Sequence, residues 1–423
     1  MRTKAIRLHG EKDLRLETLE LPPIKDNEIL ARIVSDSICM SSFKAATQAA
    51  RHKRVPDNVA EEPIIIGHEF CGEILQVGEQ WSDSFKPGNR FSIQPALNYA
   101  DGPVGLLSAP GYSYRYIGGD AQHIVIPSEV MEQDCLLPFN GEAFFLGSLA
   151  EPMSCIVGSF HASYHTRPGS YEHEMGIVEG GAMALLAGVG PMGLGAIDYA
   201  IHCDRKPGLL VVTDIDADRL ERAAAIYTVE EARENGVELI YVNTADEAHD
   251  DEYLISLTPE KAGFNDVFVF APVRQVVEQA DALMAHDGCL NFFAGPTSPK
   301  FFAEFNFYNV HYAATHVVGT SGGNTDDMIE SLQMMEQGSI NPATMVTHVG
   351  GLDAVINTTL KLPDIPGGKK LIYNHVSMPL VALDELHTLQ GDFYQGLAEI
   401  VDRHNGIWSP EAENYVLANA PRI

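Results

Sequence analysis

One cysteine, one histidine and two glutamates supply the kinds of side chain that bind a divalent metal. Cys39 in SDSICMSS offers sulfur, His68 in IIIGHEF nitrogen and Glu151 oxygen, a mixture expected for zinc with an open fourth position. Glu69 and Glu151 lie in otherwise apolar stretches, where a carboxylate without a partner costs free energy. A bound cation would offset that cost. From spacing alone, a small core cysteine and a structural histidine explain the pattern equally well.

A glycine-rich turn indicates a second chemistry, the binding of a dinucleotide. The sequence GVGPMG at residues 188–193 directly follows the apolar strand MALLA and opens a helix. Such glycines allow a tight turn and a close approach of a pyrophosphate, which the free N–H groups of the helix N-terminus can bind. We therefore predict cofactor contacts from Gly188, Gly190, Pro191, Met192 and Gly193.

The next strand, LLVVTD, ends at Asp214, 21 residues after Gly193. A carboxylate at this position accepts hydrogen bonds from the ribose hydroxyls of adenosine and repels a 2′-phosphate, so NAD(H) is favoured over NADP(H). Arg219 tempers that preference, because its guanidinium could reach a ribose hydroxyl or a 2′-phosphate. A Rossmann-like sheet that binds no nucleotide is the alternative interpretation.

Two different patterns of apolar residues must position these groups. Residues 1–135 contain short apolar runs between turn signals, which is typical of a β-rich domain. From about residue 182, strands alternate with helices such as DADRLERAAAIY and VRQVVEQADALMAH, which predicts a parallel sheet covered on both faces. The alternation stops after HVVGT at residues 316–320. An α/β domain therefore interrupts a β-rich one.

Composition excludes several classes of function. The 423 residues carry a formal net charge of −30, which argues against nucleic acid and anionic membranes as partners. The six cysteines form no C-x-x-C pair, which favours a reducing compartment, and we expect the cytoplasm. The uncharged residues 180–197 are long enough to cross a membrane, but their six glycines and one proline indicate strand, turn and helix. We expect a soluble protein without a targeting segment.

Taken together, the motifs resemble those of the zinc-dependent medium-chain dehydrogenases. SDSICMSS is similar to the catalytic-cysteine segment of that family, GHEFCGEI to its zinc-histidine motif, and AEP at residues 150–152 to the third-ligand motif of its sorbitol dehydrogenase branch. AGVGPMG with TDID resembles the coenzyme fold, and GTSGGNTDDM with PGGKKLIY the C-terminal return. In the order of the family, these motifs span residues 1 to about 374.

The resemblance implies an α/β fold class in which a GroES-like β-rich catalytic domain is interrupted by a Rossmann domain with a doubly wound parallel sheet. We expect the GroES-like domain, with a C-terminal extension, at residues 1–156 and 320–423. The Rossmann domain is expected at residues 157–319. A homo-oligomer, dimer or tetramer, is also expected.

The resemblance also implies roles for single residues. Cys39 and His68 match zinc ligands, while Glu151 matches a third ligand or a member of the network around the zinc-bound water. Glu69 matches a carboxylate behind the ligands that binds zinc directly in some relatives. Ser41 matches the hydroxyl that passes the substrate proton. Ser41, Glu69 and Glu151 are thus the expected catalytic residues for hydride transfer to or from a nicotinamide.

Some segments depart from the family pattern. QPALNYADGPVGLLSAPGYS lacks the four cysteines that bind a structural zinc in many relatives, so we predict one catalytic zinc and no structural zinc. Residues 161–179 are predicted to form an exposed polar loop in preference to a second metal site. Residues 383–406 are predicted to form an amphipathic helix that packs on the body or on a partner subunit.

The length and the inserts most resemble family members that act on a sugar phosphate, so a ketose phosphate and a polyol phosphate are the expected substrates. A net charge of −30 would repel such a dianion unless a cationic clamp is present. Lys44 and Arg51 are the candidates, the latter within RHKR at residues 51–54. A solvated loop paired with Glu61 and Glu62 explains that cluster equally well.

Three other functions are compatible with parts of the sequence. One is a dehydrogenase of an unphosphorylated polyol or secondary alcohol. A second is a noncatalytic nucleotide-binding protein of the same fold, against which the complete set Cys39, His68 and Glu151 argues. The third is a zinc hydrolase, which would leave the glycine turn and Asp214 unexplained.

Overall fold

The computed structural model describes residues 1–296 and 298–423 and divides the chain into two compact units. The first unit comprises Met1–Pro152, Asn324–Gly338 and Pro342–Ile423, and the second comprises Met153–Gly323 and Ser339–Asn341. Within the described residues, no helix is both long enough and apolar enough to cross a bilayer.

The strands of the described chain are numbered in sequence order. They are β1 (Arg2–Gly10), β2 (Asp13–Glu20), β3 (Ile29–Ile38), β4 (Ile64–Ile65), β5 (Phe70–Val77), β6 (Arg90–Ile93), β7 (His123–Ile126), β8 (Leu136–Pro138), β9 (Tyr164–Thr166), β10 (His173–Met175), β11 (Ala182–Leu186), β12 (Leu209–Asp214), β13 (Glu238–Asn243), β14 (Phe264–Val269), β15 (Met284–Phe292), β16 (His316–Val318), β17 (Val346–Gly351), β18 (Lys369–Tyr373) and β19 (Val381–Ala382).

The α-helices are numbered in the same way. They are α1 (Met40–Gln48), α2 (Ser128–Glu132), α3 (Phe144–Ser148), α4 (Ala150–Ala162), α5 (Pro191–His202), α6 (Ala217–Ile226), α7 (Val229–Glu234), α8 (Asp251–Ser256), α9 (Arg274–Leu283), α10 (Phe307–Tyr312), α11 (Thr325–Glu336), α12 (Val355–Leu360), α13 (Asp392–Arg403) and α14 (Pro410–Asn419).

In the first unit, β3 is the strand around which the largest sheet is built. It pairs antiparallel with β5, β7 and β18, while β6 and β8 continue the sheet beyond β5. Alternate residues Ile29, Ala31 and Ile33 are buried in the core, as the two-residue period of a strand requires. The second half of β3 is buried on both faces and leads directly to Cys39. The rigid centre of this sheet therefore carries the candidate metal ligand at its end.

In the second unit, six parallel strands lie in the order β13-β12-β11-β14-β15-β16. This order places the first strand of the unit's parallel sheet in the middle, which is the doubly wound arrangement of a Rossmann fold. All five residues of β11 are buried, because helices cover a parallel sheet on both faces. The expected fold class, a β-rich GroES-like domain with an α/β Rossmann domain, is confirmed.

Two predicted elements are wrong in their extent. The helix expected over residues 273–286 ends at Leu283, because Met284 pairs with Phe264 of β14 and begins a strand. The helix expected over residues 383–406 is interrupted: residues 383–388 form a 3₁₀ turn, and α13 begins after Gly391, whose φ of 106° suits glycine.

The predicted polar loop at residues 161–179 is also partly wrong, because it contains the β9–β10 hairpin. His165 is buried there, with Nε2 3.1 Å from Oδ1 of Asp266 and Nδ1 3.0 Å from the carbonyl oxygen of Asp287. These contacts fix the first strand of the hairpin to the Rossmann sheet. The second strand, β10, is exposed as predicted.

The C-terminal extension packs on the first unit. Glu413 of α14 accepts hydrogen bonds from the backbone N–H groups of Phe144 and Phe145, at 2.7 and 2.8 Å, and from the hydroxyl of Tyr373. Trp408, which is fully buried, donates its indole N–H to the same tyrosine hydroxyl. A buried carboxylate with three donors anchors the extension to the body of the catalytic unit.

Candidate active site

Neighbouring strands bring three metal-binding side chains together. Cys39 follows β3 and precedes α1, while His68 and Glu69 directly precede β5, the antiparallel neighbour of β3. The N–H of Ser37 donates to the carbonyl oxygen of Glu69 at 3.0 Å, which ties the two segments at this point. One ligand atom each of Cys39, His68 and Glu69 lies within 4.8 Å of the others. We call these three residues the metal cluster.

Glu151, the other carboxylate expected at the metal, lies in the first turn of α4 and outside the metal cluster. Burial is the main reason that the pKa of Glu151 is raised to about 7; the charges of Glu69 and Cys39 act in the same direction, and His68 acts against them. The carboxyl group is therefore close enough to interact electrostatically with the cluster. Its direct bond to a metal stays a prediction.

Glu69 is held by a buried cation that the sequence interpretation missed. The Nζ atom of Lys369 in β18 lies 2.5 Å from Oε1 of Glu69, and the hydroxyl of Ser37 donates to Oε2. Burial, the largest single influence, opposes the charged form of Glu69, but the charges of Lys369 and His68 and the hydrogen bonds from Lys369 and Ser37 together lower the pKa of that carboxyl. A lysine within the fully buried strand KKLIY is unusual, and this feature of the sequence could have indicated a buried acidic partner for Lys369.

Hydroxyl groups surround the other two members of the metal cluster. The His68 ring has Nδ1 3.3 Å from Oγ of Ser42 and Nε2 3.1 Å from the hydroxyl of Tyr112. Ser41 places its Oγ 3.2 Å from Sγ of Cys39. Tyr112 was also missed, because it lies in a segment whose only noted feature was the absence of cysteine. The nearby hydroxyls of Ser41 and Tyr112 can hold or pass a proton beside the cluster.

The residues present fit a zinc ion. Sulfur, nitrogen and oxygen donors in one cluster are the ligands that zinc takes in catalytic sites. Among the described residues, the only cation in direct contact with the metal cluster is Lys369, which forms an ion pair with Glu69. Burial and the neighbouring Glu69 raise the pKa of the Cys39 thiol, and a divalent cation would reverse that effect. A bound metal would compensate the accumulation of buried acidic groups.

The glycine turn also has the geometry required for its ligand. A Cβ at Gly193 would lie 2.1 Å from the carbonyl oxygen of Gly188, and one at Gly188 would lie 2.7 Å from the carbonyl oxygen of Leu185. These two positions need glycine for chain packing. A Cβ at Gly190, by contrast, would meet no atom within 4 Å, so this side of the turn is open. Pro191 begins α5 at the open face, and Met192 follows it in the first turn.

Asp214 ends β12 beside the first turn of α6. Its Oδ1 accepts the backbone N–H groups of Ile215 at 2.9 Å and Asp216 at 3.1 Å, which fixes the carboxylate in place. The side chain of Arg219 is paired with another carboxylate, since its Nε lies 3.3 Å from Oδ2 of Asp216. The glycine turn and Asp214 thus follow adjacent parallel strands, as a dinucleotide site requires.

The two basic residues expected at a phosphate differ in their surroundings. Lys44 is half-buried on α1, five residues after Cys39. Arg51 is exposed, and its guanidinium lies 2.7 Å from Oε2 of Glu11. The ion pair of Arg51 is therefore made with Glu11 instead of Glu61 or Glu62. Such a pair does not favour a role for Arg51 at the substrate.

Each of the two units contains a segment that matches a known protein-family model. Residues 25–133 match the family model of the alcohol dehydrogenase GroES-like domain. Residues 191–337 match the model of the zinc-binding dehydrogenases. The metal cluster lies within the first match, and the second begins inside the glycine turn, at Pro191.

Two curated relatives match nearly the whole chain. L-sorbose 1-phosphate reductase of Klebsiella pneumoniae is 52% identical over 421 residues, which cover 100% of this chain and 98% of the relative. Mannitol-1-phosphate 5-dehydrogenase of Aliivibrio fischeri is 52% identical over 417 residues, which cover 98% of this chain and 97% of the relative.

The fold is shared with solved structures of the same class. The crystal structure of 2R,3R-butanediol dehydrogenase from Bacillus subtilis superposes with a TM-score of 0.66 at 20% identity, over 88% of this chain and 99% of that one. Together with the two family models and the two relatives, this shows an oxidoreductase that uses zinc and NAD(P)(H). The chain belongs to the zinc-dependent medium-chain dehydrogenase family.

Proposed function

We propose that this enzyme interconverts a ketose phosphate and a polyol phosphate, namely L-sorbose 1-phosphate and D-glucitol 6-phosphate, with NAD(H) as hydride carrier. The observation that carries the chemistry is the metal cluster, whose three donors lie within 4.8 Å of one another. The similarity to L-sorbose 1-phosphate reductase over both full lengths supports the substrate. Mannitol 1-phosphate is the other polyol phosphate to test, because a relative named for it is equally similar.

The side chains of the site would each have a separate role in the reaction. When bound, zinc polarises the reacting oxygen as a Lewis acid, and the nicotinamide donates or accepts hydride. Cys39 and His68 would hold the metal. Ser41, with its Oγ beside Sγ of Cys39, would pass the proton of the reacting hydroxyl towards solvent. The hydroxyl of Tyr112 would orient the His68 ring through its contact with Nε2.

We propose that the third ligand is Glu151, and that Glu69 lies beside the metal without binding it directly. The Nζ atom of Lys369 already compensates the charge of Glu69, so a metal would stabilise the Glu69 carboxylate less than it would without that ion pair. Glu69→Gln and Glu151→Gln, compared by zinc content per chain, separate the two roles. We expect the larger loss of zinc from Glu151→Gln, and the reverse order would assign the bond to Glu69.

A single zinc per chain is proposed. The segment at residues 94–113 contains no cysteine, whereas a structural site of the tetrahedral type needs four ligands of this kind or histidines. Elemental analysis of the purified enzyme should give one zinc per chain. Two tightly bound zinc ions per chain would contradict the proposal.

NAD(H) is the proposed cofactor. The fixed carboxylate of Asp214 supports it, and so does the pairing of Arg219 with Asp216, which leaves that guanidinium engaged. A direct comparison of kcat/KM with NADH and NADPH tests this proposal. A strong preference for NADPH would instead assign Arg219 to the 2′-phosphate.

The enzyme is further proposed to be a cytoplasmic homo-oligomer, a dimer or tetramer. All six cysteines are free thiols, which supports a reducing compartment. Several aromatic side chains in and before α10 are at least 66% exposed, and such a patch suits contact with a second copy: Phe302, Phe307, Tyr308 and Tyr312. Light scattering on the purified protein gives the oligomeric state, and a monomer would contradict the proposal.

The reaction itself is tested by NADH oxidation with L-sorbose 1-phosphate, before and after removal of zinc by a chelator. We expect oxidation that stops on chelation and returns with added zinc, with D-glucitol 6-phosphate as the product. Turnover of unphosphorylated polyols alone would make the protein an ordinary polyol dehydrogenase. NADH binding without turnover of any member of the panel would indicate a noncatalytic protein.

A further inference from the structure

Arg54, to which the comparisons with known proteins give no role, lies against the face of the Tyr112 ring beside the metal cluster. The guanidinium carbon of Arg54 lies 5.9 Å from the centroid of the Tyr112 ring, and the hydroxyl of the same ring is 3.1 Å from Nε2 of His68. One tyrosine ring therefore separates a fixed positive charge from a candidate zinc ligand.

Other basic side chains accompany Arg54. The ring of His52 stacks on Tyr112 with centroids 5.8 Å apart and planes 11° apart. Burial first, and then the charges of Arg54, Lys53 and Lys44, lower the pKa of His52 to about 4. His52 is thus neutral at physiological pH, mainly because its ring is partly buried and also because cations surround it. We call Lys44, His52, Lys53 and Arg54 the basic patch.

The geometry of Arg54 leaves its charge available. Its NH1 donates to the carbonyl oxygen of Leu107 at 3.0 Å, which anchors the side chain, and this neutral partner leaves the positive charge uncompensated. No carboxylate of the described residues forms an ion pair with Arg54, whereas Arg51 is paired with Glu11. In a protein with a net charge of −30, an anchored arginine without an ion pair among the described residues supplies a positive charge beside the metal cluster. The contact with the Tyr112 ring also favours a fixed position of the guanidinium.

We propose that Arg54 binds the phosphate of the substrate and sets the preference for phosphorylated sugars. This inference rests on the proposed function, because it assumes that the reacting oxygen of the substrate is held at the metal cluster. In L-sorbose 1-phosphate one methylene and one ester oxygen join the reacting carbon to phosphorus. A substrate lying along the Tyr112 ring would then have its phosphate near Arg54 and its carbonyl near His68.

The chemistry of the side chain suits the ligand. A guanidinium presents a planar fork of donors that matches two phosphate oxygens, and hydrogen bonds between charged groups are stronger than neutral ones. With NH1 held by the carbonyl oxygen of Leu107, Nε and NH2 of Arg54 are the groups that would donate to the phosphate. Lys44 supplies a second positive charge to the same patch, which would assist a dianion.

The experiment compares kcat/KM for L-sorbose 1-phosphate and for free L-sorbose, with NADH, in the zinc-loaded full-length enzyme and its variants. For Arg54→Gln we expect kcat/KM with the phosphate ester to fall about 10- to 100-fold, mainly through KM, and kcat/KM with the free sugar to change less than about 2-fold. Arg51→Gln is the matched control, since this arginine belongs to the same segment but is paired with Glu11. We expect it to change neither value by more than about 2-fold.

Arg54→Lys separates binding from folding, because it keeps the positive charge and loses the fork. We expect a smaller loss, about 3- to 10-fold, with the phosphate ester alone. An unchanged preference in both Arg54→Gln and Arg54→Lys, or an equal loss in Arg51→Gln, would overturn the inference. If Arg54→Gln does not fold, the Arg54→Lys result decides by the same criterion.

The KM for NADH distinguishes the phosphate of the substrate from those of the cofactor. A KM that stays within about 2-fold of wild type in Arg54→Gln supports the assignment, and a loss confined to NADH would overturn it. Failure of the proposed function looks different. In that case the wild-type enzyme itself would show no preference for the phosphorylated sugar.

Discussion

The glycine turn lies within six consecutive residues at one βα junction, whereas the candidate metal site draws on segments near residues 39, 68 and 151. The turn would act through its backbone, and two of its glycines are required because other backbone atoms lie within 3 Å of any added Cβ. The metal cluster acts through side chains, which the β3–β5 register and the Lys369–Glu69 pair hold together. The first site depends on local chain geometry and the second on the sheet as a whole.

The largest effect is expected at the metal cluster. Cys39→Ala removes the sulfur donor and should lower kcat by at least about a thousandfold, with loss of zinc from the purified protein. NADH affinity should stay within about 2-fold of wild type, because the glycine turn lies in the other unit. Zinc content, kcat and NADH titration measure the three quantities. A variant that keeps its zinc would remove Cys39 from the ligand set.

Substitutions in the glycine turn should separate folding from binding. Gly193→Ala places a Cβ 2.1 Å from a backbone carbonyl oxygen, so we expect a loss of about 1–3 kcal/mol in the free energy of unfolding. Gly190→Ala adds a methyl group on the open side. It should leave stability nearly unchanged but weaken NADH binding by at least about tenfold, since the pyrophosphate needs that space. Denaturant unfolding and NADH titration check both, and the reverse pattern would contradict the assigned orientation of the turn.

Cofactor preference should change at Asp214. Asp214→Ser removes an acceptor for the ribose hydroxyls and the repulsion of a 2′-phosphate, so the ratio of kcat/KM with NADH to that with NADPH should fall about tenfold. Asp218→Ser is the control, because this exposed carboxylate lies in the first turn of α6 but not at the end of a strand. An equal change in both variants would show a general effect of charge instead of a contact with ribose.

The smallest effect is expected at the β9–β10 hairpin. Burial alone would lower the pKa of His165, but the hydrogen bond and charge of Asp266 outweigh it and raise that pKa above the ordinary value. The protonated ring therefore stabilises the fold below about pH 6.5, and this contribution disappears as the pH rises through the raised pKa. His165→Gln should cost about 1 kcal/mol more at pH 5.5 than at pH 8.5. Equal losses at both pH values, relative to exposed His173→Gln, would contradict this account.

The sequence predicts a site that depends on local chain geometry more completely than one that depends on the pairing of distant segments. The glycine turn, Asp214 and the βαβ succession were predicted because each depends on residues that are adjacent or evenly spaced in the chain. Cys39, His68 and Glu69 were recognised by residue type and family resemblance, but their mutual distance required the pairing of β3 with β5. Lys369 and Tyr112 were missed, because each reaches the cluster from a segment distant in sequence.

The other errors have local physical causes. Met284 has an apolar side chain at helical spacing, yet the hydrogen bonds of the ladder to β14 decide its conformation. Gly391 interrupts the C-terminal helix through its positive φ, which the apolar pattern on either side does not indicate. His165 looked like an exposed loop residue until its acidic partners, some 100 residues away in sequence, were placed beside it.

The preference for a phosphorylated sugar is the most direct test of the account. The measurement is the ratio of kcat/KM for L-sorbose 1-phosphate to that for free L-sorbose, with NADH and zinc-loaded enzyme. A phosphate bound by charge-assisted hydrogen bonds predicts a ratio of at least about ten, which falls when Arg54 is replaced and holds when Arg51 is replaced. A ratio near one, or a preference for the free sugar, would contradict the proposed substrate.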